Sequence, residues 1–268
     1  MSRALASVRA SVRAAAAAGA SLLAAAAAHA GGAPLTVQFS QCSEFVGLAP
    51  VDTAKAQALL PARYTLVLDA ANTARLVVRM TDCKAIRVGA LPARAGRLAQ
   101  TGLLIVSPDG TASDPNTGIN NYTLTYATNV PALALGLQGQ DVPAALDAGM
   151  EYEVRPPLGE GSALYAAVAP ELGDSTRFFL DGSVNTPTIA SVFLANWWRL
   201  GGSARTPVQT RMQTDFPTIS FDFASSVAFT TSATNVLGQL TGTNRVTSFA
   251  VTYRGMYDAA TMVVKTGP

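Results

Sequence analysis

The chain has 268 residues, of which 49% are hydrophobic and only 13% charged, and its formal net charge is +2 at pH 7. Its single histidine, His29, lies in the N-terminal segment. The rest of the chain therefore has no imidazole for a Ser-His-Asp triad, a Cys-His pair or a histidine zinc site, and any catalysis must use Lys, Asp, Glu, Tyr or Arg.

The first thirty residues have the three parts of a secretory signal peptide. Arg3, Arg9 and Arg13 give a positive start, residues 14–28 form an apolar run, and residues 28–30 (Ala-His-Ala) supply a cleavage site after Ala30. About fifteen apolar residues are fewer than the roughly twenty that a membrane-spanning helix needs. The sequence therefore predicts a signal peptide at 1–30, one β-rich domain at 31–268, and an exported protein that is periplasmic or secreted.

The charge of the predicted mature chain excludes two classes of partner. Removing the three signal arginines and no acid lowers the net charge by three, from +2 to −1. No stripe of Lys and Arg remains, so we expect no nucleic-acid partner and no polybasic attraction to a membrane. After removal of the signal we also expect no stable membrane span.

The chain has two cysteines, Cys42 and Cys83. An oxidising compartment favours a disulfide between them, worth roughly 3–4 kcal/mol because it closes a long loop. The alternative is two buried thiols, or one reactive thiol in the stretch Thr81-Asp82-Cys83-Lys84.

Alternating apolar and polar residues predict β-strands through most of the chain. In chain order these lie at 64–68, 76–80, 100–106, 122–126 and 151–155, in the 219–223 and 249–253 regions, and at 261–264. The first two read as a hairpin, and Tyr122, Leu124 and Tyr126 are expected on one face.

Four shorter segments have helical patterns: residues 52–60, 129–137, 188–200 and 234–240. Together the patterns predict an α+β fold that is mainly antiparallel β, with a curved, barrel-like sheet and a few short helices.

Familiar catalytic signatures are absent. There is no Gly-x-Ser-x-Gly, no Ser-x-x-Lys, no pair of aspartic-protease loops and no phosphate-binding glycine loop. The loop at 109–121 is rich in Asp and Asn, but its composition is that of an ordinary long hairpin loop. We expect no metal site and no cofactor.

Glu151, Glu153 and Arg155 fall on one face of a predicted strand. Facing a cavity, the two glutamates are weak catalytic candidates and Arg155 a ligand-binding candidate. Facing water, they form an ordinary solvated surface, which is the commoner situation.

Lys84 is a further weak catalytic candidate, because a desolvated lysine can form a Schiff base with a carbonyl substrate. A lysine beside Asp82 is more commonly an exposed ion pair of little energetic weight.

Three further side chains are ligand-binding candidates: Arg79, Trp198 and Arg199. Trp197 and Trp198 are adjacent on the predicted third helix, so one is expected to pack in the core while the other lines a pocket beside Arg199.

The order of elements resembles that of the acetoacetate decarboxylase-like family. A strand pair and a third strand lead to the segment 120–124 (Asn-Asn-Tyr-Thr-Leu), then a helix, then residues 139–146 (Gly-Gln-Asp-Val-Pro-Ala-Ala-Leu). The resemblance spans about residues 40–265 and implies a barrel-like fold around a small hydrophobic cavity. It also implies that the family's paired lysines, which carry imine chemistry, are replaced here by Ala144 and Ala145.

The leading hypothesis is therefore an exported domain of this type that binds a small, largely apolar ligand, carrying a carboxylate or carbonyl, in a barrel cavity. One alternative is a lyase or decarboxylase acting on a small carbonyl or carboxylic acid compound. Another is an interaction module of the cell envelope without a pocket.

Overall fold

The computed structural model describes residues 33–159, 161–169, 177–202, 206–223, 225–247 and 249–267. The predicted signal peptide lies outside the described residues. Within these ranges no helix is long and apolar enough to cross a membrane.

The described residues form thirteen strands and three helices. In chain order the strands are β1 (Leu35–Val51), β2 (Ala74–Val88), β3 (Arg94–Leu104), β4 (Gly118–Thr128), β5 (Ala144–Leu146), β6 (Glu151–Arg155), β7 (Ser162–Val168), β8 (Phe178–Val184), β9 (Ile189–Gly201), β10 (Thr206–Asp222), β11 (Ala228–Thr231), β12 (Arg245–Val246) and β13 (Val251–Thr266). The helices are α1 (Thr53–Leu59), α2 (Pro131–Gln138) and α3 (Val236–Thr241).

Seven strands close into a barrel in the order β3-β2-β1-β13-β10-β9-β4, because β4 also pairs with β3. Six of the seven contacts are antiparallel, and the contact between β4 and β9 is parallel. The short strand β5 extends the sheet beside β4. The α+β barrel prediction is confirmed.

A second, five-stranded antiparallel sheet has the order β12-β11-β8-β7-β6. Its buried residues join one face of the barrel wall in a shared apolar cluster that includes Phe45, Met80, Leu164 and Phe229. A separate cluster fills the barrel interior with residues from all seven strands, among them Phe39, Tyr126 and Met262. The barrel strands β1, β2, β3, β4 and β9 contribute buried residues to both clusters, so parts of these strands are buried on both faces and lack a clean alternation of apolar and polar residues.

The helices begin where the sequence supplies suitable residues. Asp52 caps α1 by accepting a 2.8 Å hydrogen bond from Lys55 N, and Asn235 caps α3 by accepting from Gly238 N. Helix α2 has Pro131 in its first turn, but Val130 occupies the N-cap position where we expected Asn129. Three of the four predicted helices therefore exist, with small differences at their ends.

The fourth prediction, a helix at 188–200, is wrong because this segment is β9. Adjacent tryptophans on a strand point to opposite faces, so Trp197 enters the barrel cluster and Trp198 the cluster under the second sheet. The helical pattern arose because a strand buried on both faces has no clean alternation.

Two smaller predictions also differ from the structure. A register shift where β3 pairs with β4 puts Tyr122 and Leu124 in one cluster and Tyr126 in the other, so the three do not share a face. Residues 64–68 form only isolated bridges, at Leu66 and Leu68, rather than a full strand.

Candidate functional site

A buried ion pair lies inside the barrel, between Glu44 on β1 and Arg79 on β2. Arg79 donates from Nε (2.9 Å) and Nη2 to Glu44 Oε2, which also accepts a 3.0 Å bond from Thr81 Oγ1. The Arg79 side chain is 4% exposed and that of Glu44 11%. Another Arg79 nitrogen, Nη1, donates to Gln100 Oε1. Each charge is therefore paired and hydrogen-bonded, which a buried pair requires.

The electrostatics of this pair affect the groups around it. Burial alone would lower the pKa of Arg79, but the Glu44 carboxylate opposes this and the net shift is upward. The buried phenols of Tyr126 and Tyr257 lie in the same interior cluster, and burial raises the pKa of both. These tyrosines remain neutral at physiological pH and can donate hydrogen bonds.

Beside the ion pair is a cavity of about 30 Å³. The lining residues with polar side-chain atoms are Glu44, Arg79, Asn121, Trp197 and Tyr253, and the apolar ones include Val46, Val77, Ile119, Phe193, Phe216 and Ile219. A dry engineered cavity that takes benzene is roughly 150 Å³, so this one has room for about one or two non-hydrogen atoms, and a larger ligand requires the lining side chains to move. It is smaller than the largely apolar ligand of the sequence-based hypothesis requires.

Buried polar atoms without partners mark this cavity. Within the described part of the chain, Asn121 Nδ2, Asn121 Oδ1 and Trp197 Nε1 make no hydrogen bond. Asn121 on β4 and Trp197 on β9 are direct neighbours in the parallel pairing, so their side chains meet on one wall. Because a buried polar group without a partner costs roughly 1–3 kcal/mol, these atoms indicate a site for a polar group of a ligand or a water.

A second and larger concavity, here called the groove, lies between the barrel wall and the end of the second sheet. Its volume is about 690 Å³. The lining comes from β1, β2 and β13 of the barrel, from β6 and the segment that follows it, and from Pro217 and Thr218. This volume is within the range of small-molecule sites.

The groove contains two of the predicted catalytic candidates, Lys84 and Glu153. Both side chains are exposed. Asp82 forms its ion pair with Arg97, at 2.7 Å, and not with Lys84 as expected. Glu151, Glu153 and Arg155 lie on the exposed face of β6, and Glu153 pairs with Arg155.

The predicted ligand-binding residues are spread over different places. Arg79 lines the barrel cavity, whereas Arg155 lies on the solvated face of β6. Trp198 packs under the second sheet and donates to Asn120 Oδ1 at 3.0 Å, and Arg199 donates to Thr123 O at 3.3 Å. The structure therefore does not bring these four residues together, and their ligand-binding roles stay predictions.

Sequence reasoning missed Glu44, Asn121 and Trp197 at the cavity and Arg254 at the groove. A signal for two of them was present: Glu44 and Arg254 are isolated charges in runs of apolar and small residues, which is unusual for strands of this kind. The roles of Trp197 and Asn121 depend on the strand pairing and carried no local signal.

The predicted disulfide between Cys42 and Cys83 is confirmed. The two residues are direct partners across β1 and β2, with a Cα–Cα distance of 4.1 Å. Both side chains belong to the barrel cluster, and Cys42 also lines the groove.

No lysine lines the barrel cavity. The three lysines of the sequence are Lys55, which donates to Gln239 O, Lys84 at the groove and Lys265 on β13. Ala144 packs in the barrel cluster, where the family resemblance puts a lysine. Among the described residues there is also no cluster of three or more His, Cys, Asp and Glu that could bind a metal.

A closed barrel of seven strands, covered on one side by a five-stranded sheet, defines the acetoacetate decarboxylase-like fold. Solved structures that the chain resembles in fold include the following three. The chain is similar to acetoacetate decarboxylase from Legionella pneumophila, with 12% identity, a TM-score of 0.52 and 88% of each chain covered. It is similar to another acetoacetate decarboxylase, with 8% identity, a TM-score of 0.50, and 86% of this chain and 87% of that one covered.

The third is the enduracididine biosynthesis enzyme MppR in complex with pyruvate. Its identity is 9% and its TM-score 0.52, with 88% of this chain and 90% of that one covered. No protein-family model matches the chain, and no curated protein matches it either. At these identities the similarity establishes the fold alone.

Proposed function

We propose that this chain is an exported domain that binds a small neutral carbonyl compound in the barrel cavity, without imine chemistry. The observation that carries the proposal is the pair of unpartnered N–H donors, Trp197 Nε1 and Asn121 Nδ2, on the wall of that cavity. A carbonyl oxygen between them would accept from both.

The charge of the cavity supports a neutral ligand over an anionic one. Glu44 and Arg79 neutralise each other, so no net positive charge is left to offset a buried carboxylate. The remaining lining is apolar and suits short alkyl groups. The absence of a lysine from this lining argues against Schiff-base decarboxylation.

The proposal can be tested by titrating the purified protein with 2-butanone and following protein NMR signals. Trp197→Phe removes one donor while keeping an aromatic ring, and we expect about fivefold weaker binding, since one hydrogen bond contributes roughly 1 kcal/mol. Trp198→Phe is the matched control, because Trp198 lies outside the cavity.

Three results would contradict the proposal. One is no binding of 2-butanone by the wild-type protein, as expected if the cavity holds only water. Another is equal weakening by the two tryptophan substitutions. Pyruvate, which the complex of MppR contains, provides the third: binding as tight as that of 2-butanone would contradict the preference for a neutral ligand.

A second candidate function, proton transfer next to the bound carbonyl, is favoured by Glu44. All three hydrogen bonds to its carboxylate go to Oε2, so within the described residues Oε1 is available at the cavity. Glu44 would remove a proton from the carbon beside the carbonyl, and the electron pair would move onto the carbonyl oxygen. The N–H groups of Trp197 and Asn121 would stabilise that oxygen until the carbon is reprotonated.

The second candidate predicts protein-catalysed deuterium exchange of the protons beside the carbonyl of 2-butanone in heavy water. Glu44→Gln should abolish the exchange while its amide oxygen still accepts the hydrogen bond from Arg79; because the substitution also removes the counter-ion of Arg79, folding of the variant is checked by circular dichroism. Exchange at the uncatalysed rate with wild-type protein would exclude this function and leave the binding proposal standing.

Export and the single mature domain at 31–268 belong to the same proposal. The disulfide supports an oxidising compartment. The intact mass of the protein isolated from its source cells should correspond to a chain beginning at Gly31 with two fewer hydrogens. A full-length mass would contradict removal of the signal.

A further inference from the structure

We infer that the groove between the barrel and the second sheet is a separate binding site for an amphiphilic organic acid, whose carboxylate lies against Arg254. This inference does not rest on the barrel-cavity proposal, because it concerns other residues and another ligand class.

Arg254 is a buried cation without a carboxylate partner among the described residues. The residue is 3% exposed, and its guanidinium donates to two backbone carbonyls, Asn185 O at 3.1 Å and Pro157 O. Its Nε makes no hydrogen bond within the described chain. A desolvated charge needs an opposite charge to be stable, and backbone carbonyls supply only partial ones.

The described residues around Arg254 do not supply the missing charge. Desolvation lowers the pKa of Arg254, and the one electrostatic contribution that opposes it comes from Tyr152, whose own pKa is raised by burial. A neutral phenol is no counter-ion. No described residue neutralises the charge of Arg254, so a ligand would have to supply the negative charge.

The charges lining the groove leave an excess of positive charge for a carboxylate. Two of its acids, Asp82 and Glu153, are paired with Arg97 and Arg155, which do not line it. Arg254 and Lys84 then face a single further acid, the exposed Asp258.

The rest of the lining suits an apolar ligand body. Val154, Leu158 and Met256 lie in the same groove, and Leu158 is 58% exposed although it is a large apolar residue. The groove volume of about 690 Å³ exceeds what a carboxylate alone would fill. A cation beside an apolar wall recognises a molecule that has a carboxylate head and a hydrocarbon body.

The test uses octanoate, with octanamide as its uncharged analogue, in calorimetric titrations of the purified protein. We expect octanoate to bind about fivefold more tightly than octanamide, because a charge-assisted contact contributes roughly twice as much as a neutral one. Higher salt should weaken the binding of octanoate but not that of octanamide.

Variants then locate the site. Arg254→Met should weaken octanoate binding at least tenfold, and Lys84→Gln about threefold, whereas Lys265→Gln, the matched lysine outside the groove, should have no effect. Because Arg254 is buried, Met256→Trp provides a second variant that keeps Arg254 and fills the groove. It too should reduce binding at least tenfold.

The inference is overturned if octanoate does not bind, if octanamide binds equally, or if Arg254→Met and Met256→Trp leave the affinity unchanged. Inorganic phosphate that binds as tightly as octanoate would also overturn it, because the apolar wall would then contribute nothing. Trp197→Phe should leave octanoate binding intact, so failure here and failure of the barrel-cavity proposal are distinguishable.

Discussion

The barrel interior and the groove bury arginines in opposite ways. Arg79 has its counter-ion, Glu44, within the fold, and the cavity beside them is about 30 Å³. Among the described residues Arg254 has only carbonyl partners, and it borders about 690 Å³ of open space. The same residue type at similar burial therefore has different consequences: loss of the paired arginine would leave a buried carboxylate without a partner, whereas the arginine without a carboxylate partner is suited to recognise an anion.

The largest expected effect comes from removing one partner of the buried ion pair between Glu44 and Arg79. Arg79→Met leaves the Glu44 carboxylate buried and unpaired, so we expect the free energy of unfolding to fall by about 3–5 kcal/mol. Urea denaturation followed by circular dichroism measures this. Arg155→Met is the control, because its pair with Glu153 is exposed and contributes at most about 1 kcal/mol. Similar losses in both variants would contradict the difference in burial.

Alkaline pH tests the buried tyrosines of both regions. Burial raises the pKa of Tyr126, Tyr152 and Tyr257 above the ordinary value of 10.0. Because the pKa is higher in the folded state, stability is unaffected below pH 10 and falls as pH rises above it, where only the unfolded chain ionises. One unit above pH 10, the loss is about 1.4 kcal/mol per buried tyrosine, or about 4 kcal/mol for the three.

Unfolding in urea between pH 9 and pH 11, with tyrosinate absorbance recorded alongside, checks this expectation. Tyr126→Phe should lessen the pH dependence, and Tyr165→Phe, at a 42% exposed position on β7, is the matched control. Tyrosinate absorbance that rises for all tyrosines before the protein unfolds would show that these phenols are accessible.

The disulfide lies where the two regions meet, since Cys42 belongs to the barrel cluster and lines the groove. Replacing Cys42 and Cys83 by alanine should cost about 3 kcal/mol, because the unfolded chain regains the freedom of a long loop. Reductant should destabilise the wild-type protein by a similar amount and leave the double variant unchanged. A variant as stable as the oxidised wild type would contradict this.

The smallest expected effect comes from the same arginine-to-methionine substitution, made at the groove instead of in the barrel interior. Arg254→Met removes a charge without leaving an unpaired one, so only the bonds to Asn185 O and Pro157 O are lost. We expect a cost of about 1–2 kcal/mol in urea unfolding, well below that of Arg79→Met. Equal costs at the two positions would show that Arg254 has a structural role like that of Arg79.

The sequence predicted the class of fold and much of the framework. Alternating strands, turn residues and short helical patterns indicated an α+β barrel with short helices, and the two cysteines indicated their own pairing. These features depend on the local conformational preferences of the residues and on the pairing of two cysteines. Both can be read from a single sequence.

The residues of the candidate sites were harder to predict from the sequence. Arg79 was identified, but Glu44 opposite it was not, because its role depends on the register of β1 against β2. Lys84 and Glu153 were identified, yet Arg254, the buried residue of the same groove, was missed. Trp198 was selected where Trp197 lines the cavity, since a strand buried on both faces was taken for a helix.

The class of fold, the disulfide, the lack of histidine after residue 29 and the scarcity of lysine could all be read from the sequence, whereas strand β1 was not predicted and β9 was predicted to be a helix. Only the tertiary structure decided which strand faces enclose a cavity, how little space that cavity has, and which arginine is paired. The physical reason is that pairing, burial and cavity volume arise between residues far apart in the chain. Here the decisive contacts join positions 35 residues apart for Glu44 and Arg79 and 97 residues apart for Pro157 and Arg254.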